Sequence, residues 1–328
     1  MERTYINEVQ KEIGSTVKVQ GFIENLRNSK YMAFIVLKDI TGKLQITVEK
    51  ADHPDLVDTI DKLTPDSVIT VTGKVMENDY VKMGGIEMIP EAIEIESIAD
   101  ALPIVRKEIA ATKKKKAVER SSIDQRIDYR WIDLRTDENQ LMFKAQSCFV
   151  NAMRKFLLDR NFIEIHTPKL IAAASESGSE VFKVDYFDRN AYLAQSPQFY
   201  KQMAMAAGFE RIFETGPVFR AEKSYTNKHA TEFSGFDLEF SYIESFRDVM
   251  KMEEELLTYA LAKVKEAYGE DIERVFGVPV VVLLMIVMFA ITAYVLKYTS
   301  FGRKIYAIGG NKNASYLSGI NILSLIHI

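Results

Sequence analysis

Hydrophobic and polar residues alternate along the first hundred residues with the two-residue period of β-strands. Val17, Val19 and Ile23 alternate with Lys18 and Gln20 in the first of these stretches. Successive side chains of a strand point to opposite faces, so this period indicates strands with one buried face. The pattern predicts strands within 15–23, 33–39, 44–48, 68–76 and 86–98, and a helix over 52–63.

Five strands with one helix after the third are typical of a small Greek-key barrel, the OB-fold. We therefore predict an N-terminal domain of this fold over residues 1–103. Such barrels present one strand face to single-stranded nucleic acid, with aromatic rings for stacking and polar groups for base edges. The candidates for this face are Arg27, Lys30, Phe34, Gln45 and Glu87. The alternatives are a core position for Phe34 and a solvated strand face for Gln45 and Glu87.

Residues 104–130 are predicted to form a basic linker, with consecutive lysines at 113–116. A run of like charge is most often a solvated linker. The functional alternative is a contact with the phosphate backbone of a nucleic acid. The linker therefore adds a second candidate contact to the one on the barrel.

Beyond the linker the hydrophobic period changes to that of a helix. Leu141 and Phe149 fall near one face of a helix predicted over 139–161. A strand over 162–170 follows, and Pro168 interrupts it. Because proline within a sheet is confined to edges and bulges, this strand predicts an exposed edge. An edge placed against a second copy of itself makes a two-fold interface, so we expect a homodimer.

Residues 211–243 have the pattern strand, polar loop, strand, which predicts an antiparallel hairpin. Arg220 and Glu222 are two residues apart, so their side chains point to the same face. An arginine on that face suits a phosphate or a carboxylate, which the guanidinium can hold with two hydrogen bonds. The alternative is a solvated hairpin face with salt bridges.

Composition narrows the function classes further. The chain has 328 residues, enough for two or more domains. The net charge of -4 argues against a protein that coats nucleic acid with positive charge, although it allows a local basic patch. Cys148 is the one cysteine, so no internal disulfide forms, and we expect a cytoplasmic protein. No signal peptide is expected, because no apolar run follows the polar N-terminus.

Taken in order, these motifs resemble those of class II aminoacyl-tRNA synthetases, specifically the aspartyl-tRNA synthetases of the archaeal or non-discriminating type. The helix, strand and Pro168 resemble the family's motif 1. Residues 219–239, which run from Phe-Arg-Ala-Glu through His229, resemble motif 2. Residues 174–182 resemble the flipping loop that closes over the amino acid, and residues 193–202 resemble the substrate-recognition segment.

The resemblance covers about residues 1–276. It implies an α+β fold, in which an OB-fold β-barrel reads the anticodon and a partial class II antiparallel-sheet catalytic domain occupies residues 131–276. The implied activity is that of an aspartate–tRNA ligase, which activates L-aspartate with ATP to aspartyl-adenylate and transfers it to tRNA(Asp). Strict use of tRNA(Asp) and dual use of tRNA(Asp) and tRNA(Asn) both stay open.

For the nucleotide, the resemblance assigns roles to the hairpin. It implies that Arg220 bridges the α-phosphate of ATP and the carboxylate of aspartate, since two anions must be brought together there. It implies that Glu222 accepts a hydrogen bond from the adenine amino group and that Phe233 stacks on adenine. The loop residues implied to line the ATP site are Lys228, His229 and Ala230, with His229 nearest the terminal phosphates.

For the amino acid, the resemblance implies that Glu176 takes the α-ammonium when its loop closes. The residues implied to line the pocket are Gln198, Phe199, Tyr200 and Lys201. Lys201 favours aspartate over asparagine, because a buried carboxylate must be paired with a cation. Gln195 and Ser196 either contact the α-amino group or serve in strand packing.

The metal that the resemblance implies is Mg²⁺. Asp237 and Glu239 stand where acidic groups help to hold it. The alternative is a strand face on which both carboxylates form salt bridges.

The C-terminal part of the sequence departs from the family. We find no third motif, the glycine-rich strand and helix with an ATP-binding arginine, after residue 243. Residues 278–296 carry no charge and are long enough to cross a bilayer as a helix. Residues 299–321 resemble the inner-membrane permease of ribose-type sugar ABC transporters. We therefore expect a chimera with a foreign, membrane-like segment over 277–328. A buried core helix and a natural membrane-tethered synthetase are the alternatives.

Without the third motif, the chain is expected to have little or no adenylation activity. Two other functions then compete with that of an active ligase. One is a non-catalytic tRNA-binding module, in which the barrel binds RNA and the remnant of the catalytic domain is inactive. The other is a component of membrane transport, which is supported by the C-terminal segment alone.

Overall fold

The computed structural model describes residues 1–107, 118–173, 181–223, 226, 229–277, 288–289, 294 and 297–299. The chain divides into two units, Met1–Asp133 and Leu134–Ile328. Outside the described residues lie the lysines at 113–116, the loop at 174–180, most of the predicted apolar helix at 278–296, and residues 300–328. Within the described residues, no helix combines the length and the apolar character that a membrane span requires.

The first unit contains a closed barrel of five strands, as predicted. The strands are β1 (Thr16–Asn28), β2 (Met32–Lys38), β3 (Lys43–Glu49), β4 (Val68–Glu77) and β5 (Ile86–Ser97). They close in the order β1-β2-β3-β5-β4, with β3 and β5 parallel and the other pairs antiparallel. Helix α1 (Val57–Lys62) follows β3, and 3-10 helices cover Ile6–Glu12 and Pro54–Leu56. This is the strand and helix order of the predicted OB-fold.

Alternating side chains fill the barrel. Val19, Ile23, Ile35, Ile46 and Val71 are fully buried and belong to one continuous core. Burial of such side chains is the main favourable contribution to folding, at about 1.5–3 kcal/mol for each large aliphatic group. The outward positions between them are therefore free to carry the polar candidates of the nucleic-acid face.

Closure of the barrel requires a glycine where β4 meets β5. A Cβ atom on Gly73 would stand 2.3 Å from the carbonyl oxygen of Ile89. The register between the two strands also shifts between Thr72 and Gly73. Any larger residue at this position would push the two strands apart.

Two short helices follow the barrel within the first unit, α2 (Ile123–Asp128) and α3 (Arg130–Asp133). Asp133 is buried, and its carboxylate lies 2.9 Å from Arg130, 3.5 Å from Arg126 and 3.7 Å from Arg120. One carboxylate thus holds three guanidinium groups.

The second unit contains three helices and two small sheets in its described part. The helices are α4 (Asp137–Leu158), α5 (Gln198–Ala206) and α6 (Phe246–Phe276). The strands are β6 (Ile163–Glu164), β7 (Leu170–Ile171), β8 (Lys183–Tyr186), β9 (Arg189–Leu193), β10 (Arg211–Phe219) and β11 (Glu232–Phe240). The sheets have the orders β11-β10-β6 and β7-β9-β8. The predicted strand over 162–170 is thus two strands, β6 and β7, in different sheets, and Pro168 lies between them.

The predicted hairpin is formed by β10 and β11, which pair antiparallel over their full lengths. One face of this sheet packs against α4 and α6 around Phe213, Leu157 and Leu256. The N-terminus of α6 is fixed by a capping box between Ser245 and Asp248. The other face of the hairpin is left for the polar residues of the candidate site.

Candidate active site and nucleic-acid face

The hairpin face opposite α4 and α6 brings together four of the predicted site residues, Arg220, Phe233, Asp237 and Glu239. Residues paired across an antiparallel ladder share a face, as do residues two apart on one strand. This face, called the site face below, carries Ile212, Glu214, Gly216 and Val218 of β10 opposite Glu239, Asp237, Gly235 and Phe233 of β11. Arg220 continues it beyond the end of β10, where its backbone N–H donates to the carbonyl oxygen of Thr231 at 3.0 Å.

Arg220 and Phe233 form one end of the site face. The guanidinium of Arg220 lies 5.5 Å from the centre of the Phe233 ring. Its Nε atom is buried and has no hydrogen-bond partner within the described part of the chain. Because buried polar atoms in proteins are nearly always paired, an unpaired guanidinium N–H indicates a place for an anionic ligand. Phe233 is partly exposed and presents a flat surface beside it.

Glu222 and His229 lie close together beyond Arg220. The Nε2 atom of His229 is 4.0 Å from the Glu222 carboxylate, and its Nδ1 atom is 2.6 Å from the hydroxyl of Thr226. Ala230, next to His229, is exposed, and the predicted Lys228 is outside the described residues. The structure therefore places two of the predicted nucleotide contacts side by side, at the Arg220 end of the site face.

Lys201 stands at the opposite end of the site face. Helix α5 carries it, its side chain is buried, and its ammonium group donates a hydrogen bond to Asp237. The carboxylate of Glu239 is 3.5 Å from the same ammonium group. The structure thus joins a residue predicted to bind aspartate with the two residues predicted to bind Mg²⁺.

These contacts fit a lysine ion pair better than a magnesium site. The ammonium group of Lys201 lies against the carboxylates of Asp237 and Glu239, where a cation would have to bind. Nowhere in the described part of the chain do three or more His, Cys, Asp or Glu residues gather in a way that could hold a metal ion. The magnesium site stays a prediction, and no chemistry below depends on it.

A cavity of about 180 Å³ lies against α5, the helix that carries Lys201. It is lined by Ile171, Ala172, Ala173, Ser196, Phe199, Tyr200 and Met203. Phe199 and Tyr200 were predicted to line the amino-acid pocket, whereas Gln198 begins α5 and is not part of this lining. The hydroxyl of Ser196 is buried and has no hydrogen-bond partner among the described residues. Glu176 belongs to the loop outside them.

Glu214 is the site-face residue that sequence reasoning missed. It is 3% exposed, and its carboxylate accepts hydrogen bonds from the N–H and the hydroxyl of Thr167, both at 2.8 Å, and from the ammonium of Lys169 at 2.9 Å. Burial by itself would raise the pKa of Glu214, but the hydrogen bonds from Thr167 and Lys169 outweigh it and lower the pKa. A charged residue in the middle of an apolar run was the available signal.

The barrel brings four of its candidates onto one outer face. Arg27 pairs with Phe34 across β1 and β2, and Gln45 pairs with Glu87 across β3 and β5. Phe34 is half-buried and so is not a residue of the barrel core. An exposed Lys30 lies near this face, with its ammonium 5.3 Å from the ring centre of Tyr31.

Two residues that sequence reasoning missed hold Glu87 in place. Its carboxylate accepts hydrogen bonds from the hydroxyl of Thr47 at 2.5 Å and from the amide of Asn78 at 2.7 Å. The Gln45 amide nitrogen donates to Thr47 at 3.1 Å and lies 3.5 Å from Glu87. These contacts orient the side-chain amide of Gln45 through its nitrogen atom.

The fold and the two candidate sites first define a general class of protein, in which a closed five-stranded barrel is followed by a domain whose antiparallel hairpin carries the charged residues of the candidate site. Residues 17–96 match the OB-fold nucleic acid binding domain family, and residues 122–298 match the family of tRNA synthetases class II (D, K and N). The second match covers more than half of the chain. The chain belongs to the class II tRNA synthetases (D, K and N).

Similar sequences carry names from the same family. The aspartate–tRNA(Asp/Asn) ligase of Methanopyrus kandleri is 45% identical over 262 residues, which are 79% of this chain and 58% of that protein. The aspartate–tRNA(Asp) ligase of Picrophilus torridus is 41% identical over 79% of this chain and 58% of its own length. The chain therefore spans less than two thirds of the length of these relatives.

Solved structures agree with these matches. Asparaginyl-tRNA synthetase from Pyrococcus horikoshii, complexed with asparaginyl-adenylate, superimposes with a TM-score of 0.75 at 30% identity and covers 84% of this chain and 61% of that one. A putative aspartyl-tRNA synthetase from Leishmania major Friedlin has a TM-score of 0.73 at 30% identity, with 84% and 55% covered. The fold of the described residues is thus that of aspartyl- and asparaginyl-tRNA synthetases.

Proposed function

We propose that this chain represents the anticodon-binding and nucleotide-binding parts of an aspartate–tRNA ligase. The proposed reaction is activation of L-aspartate by ATP, followed by transfer to tRNA(Asp), with tRNA(Asn) as a second acceptor. The observation that carries the proposal is the buried Nε atom of Arg220, which lies beside Phe233 on the site face and has no hydrogen-bond partner among the described residues. The similarity to ligases named for aspartate supports the choice of amino acid.

In the proposed first step, an oxygen of the aspartate α-carboxylate attacks the α-phosphorus of ATP. Aspartyl-adenylate forms, and pyrophosphate leaves. Arg220 neutralises both reacting anions, which lowers the cost of bringing them together. Phe233 stacks on the adenine ring, and Glu222 accepts a hydrogen bond from its amino group. His229 approaches the terminal phosphates.

The amino acid is proposed to lie between the cavity and Lys201, with Phe199, Tyr200 and Gln198 around it. Glu176 takes the α-ammonium when its loop closes. The ammonium of Lys201 is already shared by two carboxylates. Binding a third carboxylate there requires further positive charge, because like charges in a partly buried site repel.

Asparagine is the second candidate substrate. A neutral side-chain amide can accept a hydrogen bond from Lys201 and donate one to Asp237 or Glu239, so it needs no additional cation. The similarity to a structure that holds asparaginyl-adenylate favours the same candidate. The names of the curated relatives favour aspartate.

The barrel is proposed to bind the anticodon. Phe34 stacks on one base, and Gln45 and Glu87 contact base edges. Arg27 and Lys30 lie along the path of the phosphate backbone, which gives the binding a dependence on salt concentration. The hydrogen bonds of Thr47 and Asn78 to Glu87 support this arrangement, because they fix the acceptor before RNA binds.

A homodimer is proposed through the motif 1 region. β6 lies at the edge of its sheet, and Ile163 in it is 48% exposed. Met142 and Phe143 on α4 are also exposed. A second copy of the chain would cover these apolar side chains and the open edge near Pro168.

Titration of the chain with two sulfamoyl analogues of the aminoacyl-adenylate tests the proposal. Isothermal calorimetry with the aspartyl and the asparaginyl compound measures binding without requiring turnover. Because the curated relatives are named for aspartate, we expect the aspartyl analogue to bind at least about tenfold more tightly, a difference of about 1.4 kcal/mol. Tighter binding of the asparaginyl analogue would show that asparagine and not aspartate is the amino acid that the site prefers. Binding of neither analogue would contradict a synthetase site.

Catalysis of adenylate formation requires more of the site than binding of an analogue does. Within the described residues, the site face offers Arg220 but no second arginine for the phosphates of ATP. We therefore expect little or no pyrophosphate exchange from this chain, whichever amino acid is supplied.

A further inference from the structure

Glu214 and Asp237 stand directly opposite each other on the site face. Facing carboxylates repel, and such a pair destabilises a hairpin unless each charge is balanced. Here each carboxylate has its own lysine. Lys169 lies 2.9 Å from Glu214, and Lys201 is hydrogen-bonded to Asp237.

The two lysines come from the two walls of the cavity. Lys169 immediately precedes β7, and residues 171–173 at and after the end of β7 form one wall. Lys201 belongs to α5, which supplies the other wall through Phe199, Tyr200 and Met203. The facing ion pairs therefore attach both walls to the same point of the hairpin.

Glu214 does more than balance the charge of Lys169. The ladder between β6 and β10 ends with the N–H of Ile165, which donates to the carbonyl oxygen of Phe213 at 2.8 Å. Past this point the Glu214 carboxylate accepts the N–H of Thr167 in place of a backbone carbonyl. A buried side chain thus continues the sheet contact as the chain turns towards β7.

The side chain of Lys169 passes over Gly216 of β10. If Gly216 carried a Cβ atom, it would stand 3.4 Å from Cε and 3.6 Å from Nζ of Lys169. The lysine side chain therefore lies across Gly216 on the site face, between the Lys201 end and the Arg220 end. The segment that follows Lys169 is therefore held in a fixed position relative to the two ends of the site face.

We propose that Glu214 and Lys169 are positioning residues of the amino-acid cavity, which act by fixing the wall formed by residues 171–173. The identity of the ligand rests on the proposed function, whereas the fixing of the wall does not. With the wall released, the cavity loses its shape for the amino acid, while the nucleotide contacts at Arg220 and Phe233 remain.

Hydrogen exchange tests the fixing of the wall without any ligand. The variants are Glu214→Ala, Glu214→Gln and Lys169→Met, and the matched control is Lys155→Met, which breaks the exposed ion pair with Asp159 on α4. In Glu214→Ala we expect exchange over residues 165–173 to accelerate on the order of tenfold, because the Thr167 N–H loses its acceptor. Glu214→Gln keeps an acceptor and should restore part of the protection.

Two outcomes of the exchange experiment would overturn the proposal. One is wild-type exchange over 165–173 in Glu214→Ala. The other is equal acceleration throughout α4 and α6, which would make Glu214 a residue of general stability. The Lys155→Met control should exchange like the wild type at residues 165–173.

A binding measurement then separates positioning from the proposed function. Calorimetry compares the aspartyl-sulfamoyl analogue with ATP alone in the same variants. We expect Glu214→Ala and Lys169→Met to weaken the analogue on the order of tenfold and to change ATP binding less than about twofold. Equal losses for both ligands would contradict the proposal. If the wild type binds no analogue, the proposed function fails, and the exchange data alone decide whether Glu214 fixes the wall.

Discussion

The role of each cationic residue at the site face depends on whether a carboxylate is already paired with it. Arg220 has a buried N–H without a partner among the described residues, whereas Lys201 and Lys169 are both held by carboxylates. An unpaired buried cation is available to a ligand, and a paired one is chiefly structural until the ligand displaces its partner. Arg220 is therefore the residue whose chemistry most directly indicates substrate binding.

The pKa of Glu214 leads to a prediction at this scale. Hydrogen bonds from Thr167 and Lys169 lower the folded-state pKa below the unfolded value of 4.5. The unfolded state then binds more protons over the interval between the two values, so stability rises with pH there. The stabilisation is present above the unfolded pKa and is lost as the pH falls through the folded pKa.

Melting temperatures measured from pH 7 down to about pH 3 check this prediction. We expect the second unit of the wild type to lose stability as the pH falls through this range, and Glu214→Gln to lose less of it. Glu266→Gln, which changes a carboxylate on the surface of α6, serves as the control. The same acid dependence in Glu214→Gln and wild type would rule out this role for Glu214.

At the scale of elements, the strands of the barrel place separate residues on one binding face. β3 and β5 bring Gln45 and Glu87 together from distant parts of the sequence, and Asn78 reaches Glu87 from the end of β4. A rigid sheet can hold these groups in place before RNA binds. The affinity of this face for RNA should therefore fall when a positioning residue is lost as well as when a contact residue is lost.

Binding of an anticodon stem-loop of tRNA(Asp) checks this expectation. Phe34→Ala should weaken binding on the order of tenfold or more, since stacking contributes about 1–3 kcal/mol for each base. Asn78→Ala should weaken it by a smaller factor, because Glu87 keeps its hydrogen bond from Thr47. Tyr5→Ala, an exposed aromatic outside the face, is the control. Wild-type affinity in Phe34→Ala would exclude this face from RNA binding.

The elements that the sequence predicted best are those with a strong period. The barrel strands, α4 and the hairpin followed from alternation and from the 3.6-residue period. The partnership of Glu214 with Thr167 and Lys169 could not be predicted, because it depends on which strand lies beside β10. The same limit applied to Lys201, whose partners Asp237 and Glu239 were expected to hold a metal.

At the scale of the whole molecule, the chain combines a barrel domain and a class II domain of one synthetase family. The family match runs to residue 298 and so extends past Gly277, after which the sequence carries no charged residue until Lys297. The predicted junction with a permease-like segment stays a prediction, since most of residues 278–328 are outside the described part. Activity of the whole protein is proposed from relatives of which this chain spans 58%.

The most direct test of the central claim is binding of the aspartyl-sulfamoyl analogue to Arg220→Met. Loss of a charge-assisted contact to the phosphate mimic should weaken binding on the order of tenfold to a hundredfold. Arg211→Met is the matched control, because Arg211 lies at the other end of the same hairpin segment, at the start of β10, with its guanidinium over Phe162 and away from the site face. Calorimetry should show strong loss in the first variant and wild-type affinity in the second. Equal affinity in Arg220→Met and wild type would contradict the assignment of this hairpin as the nucleotide site.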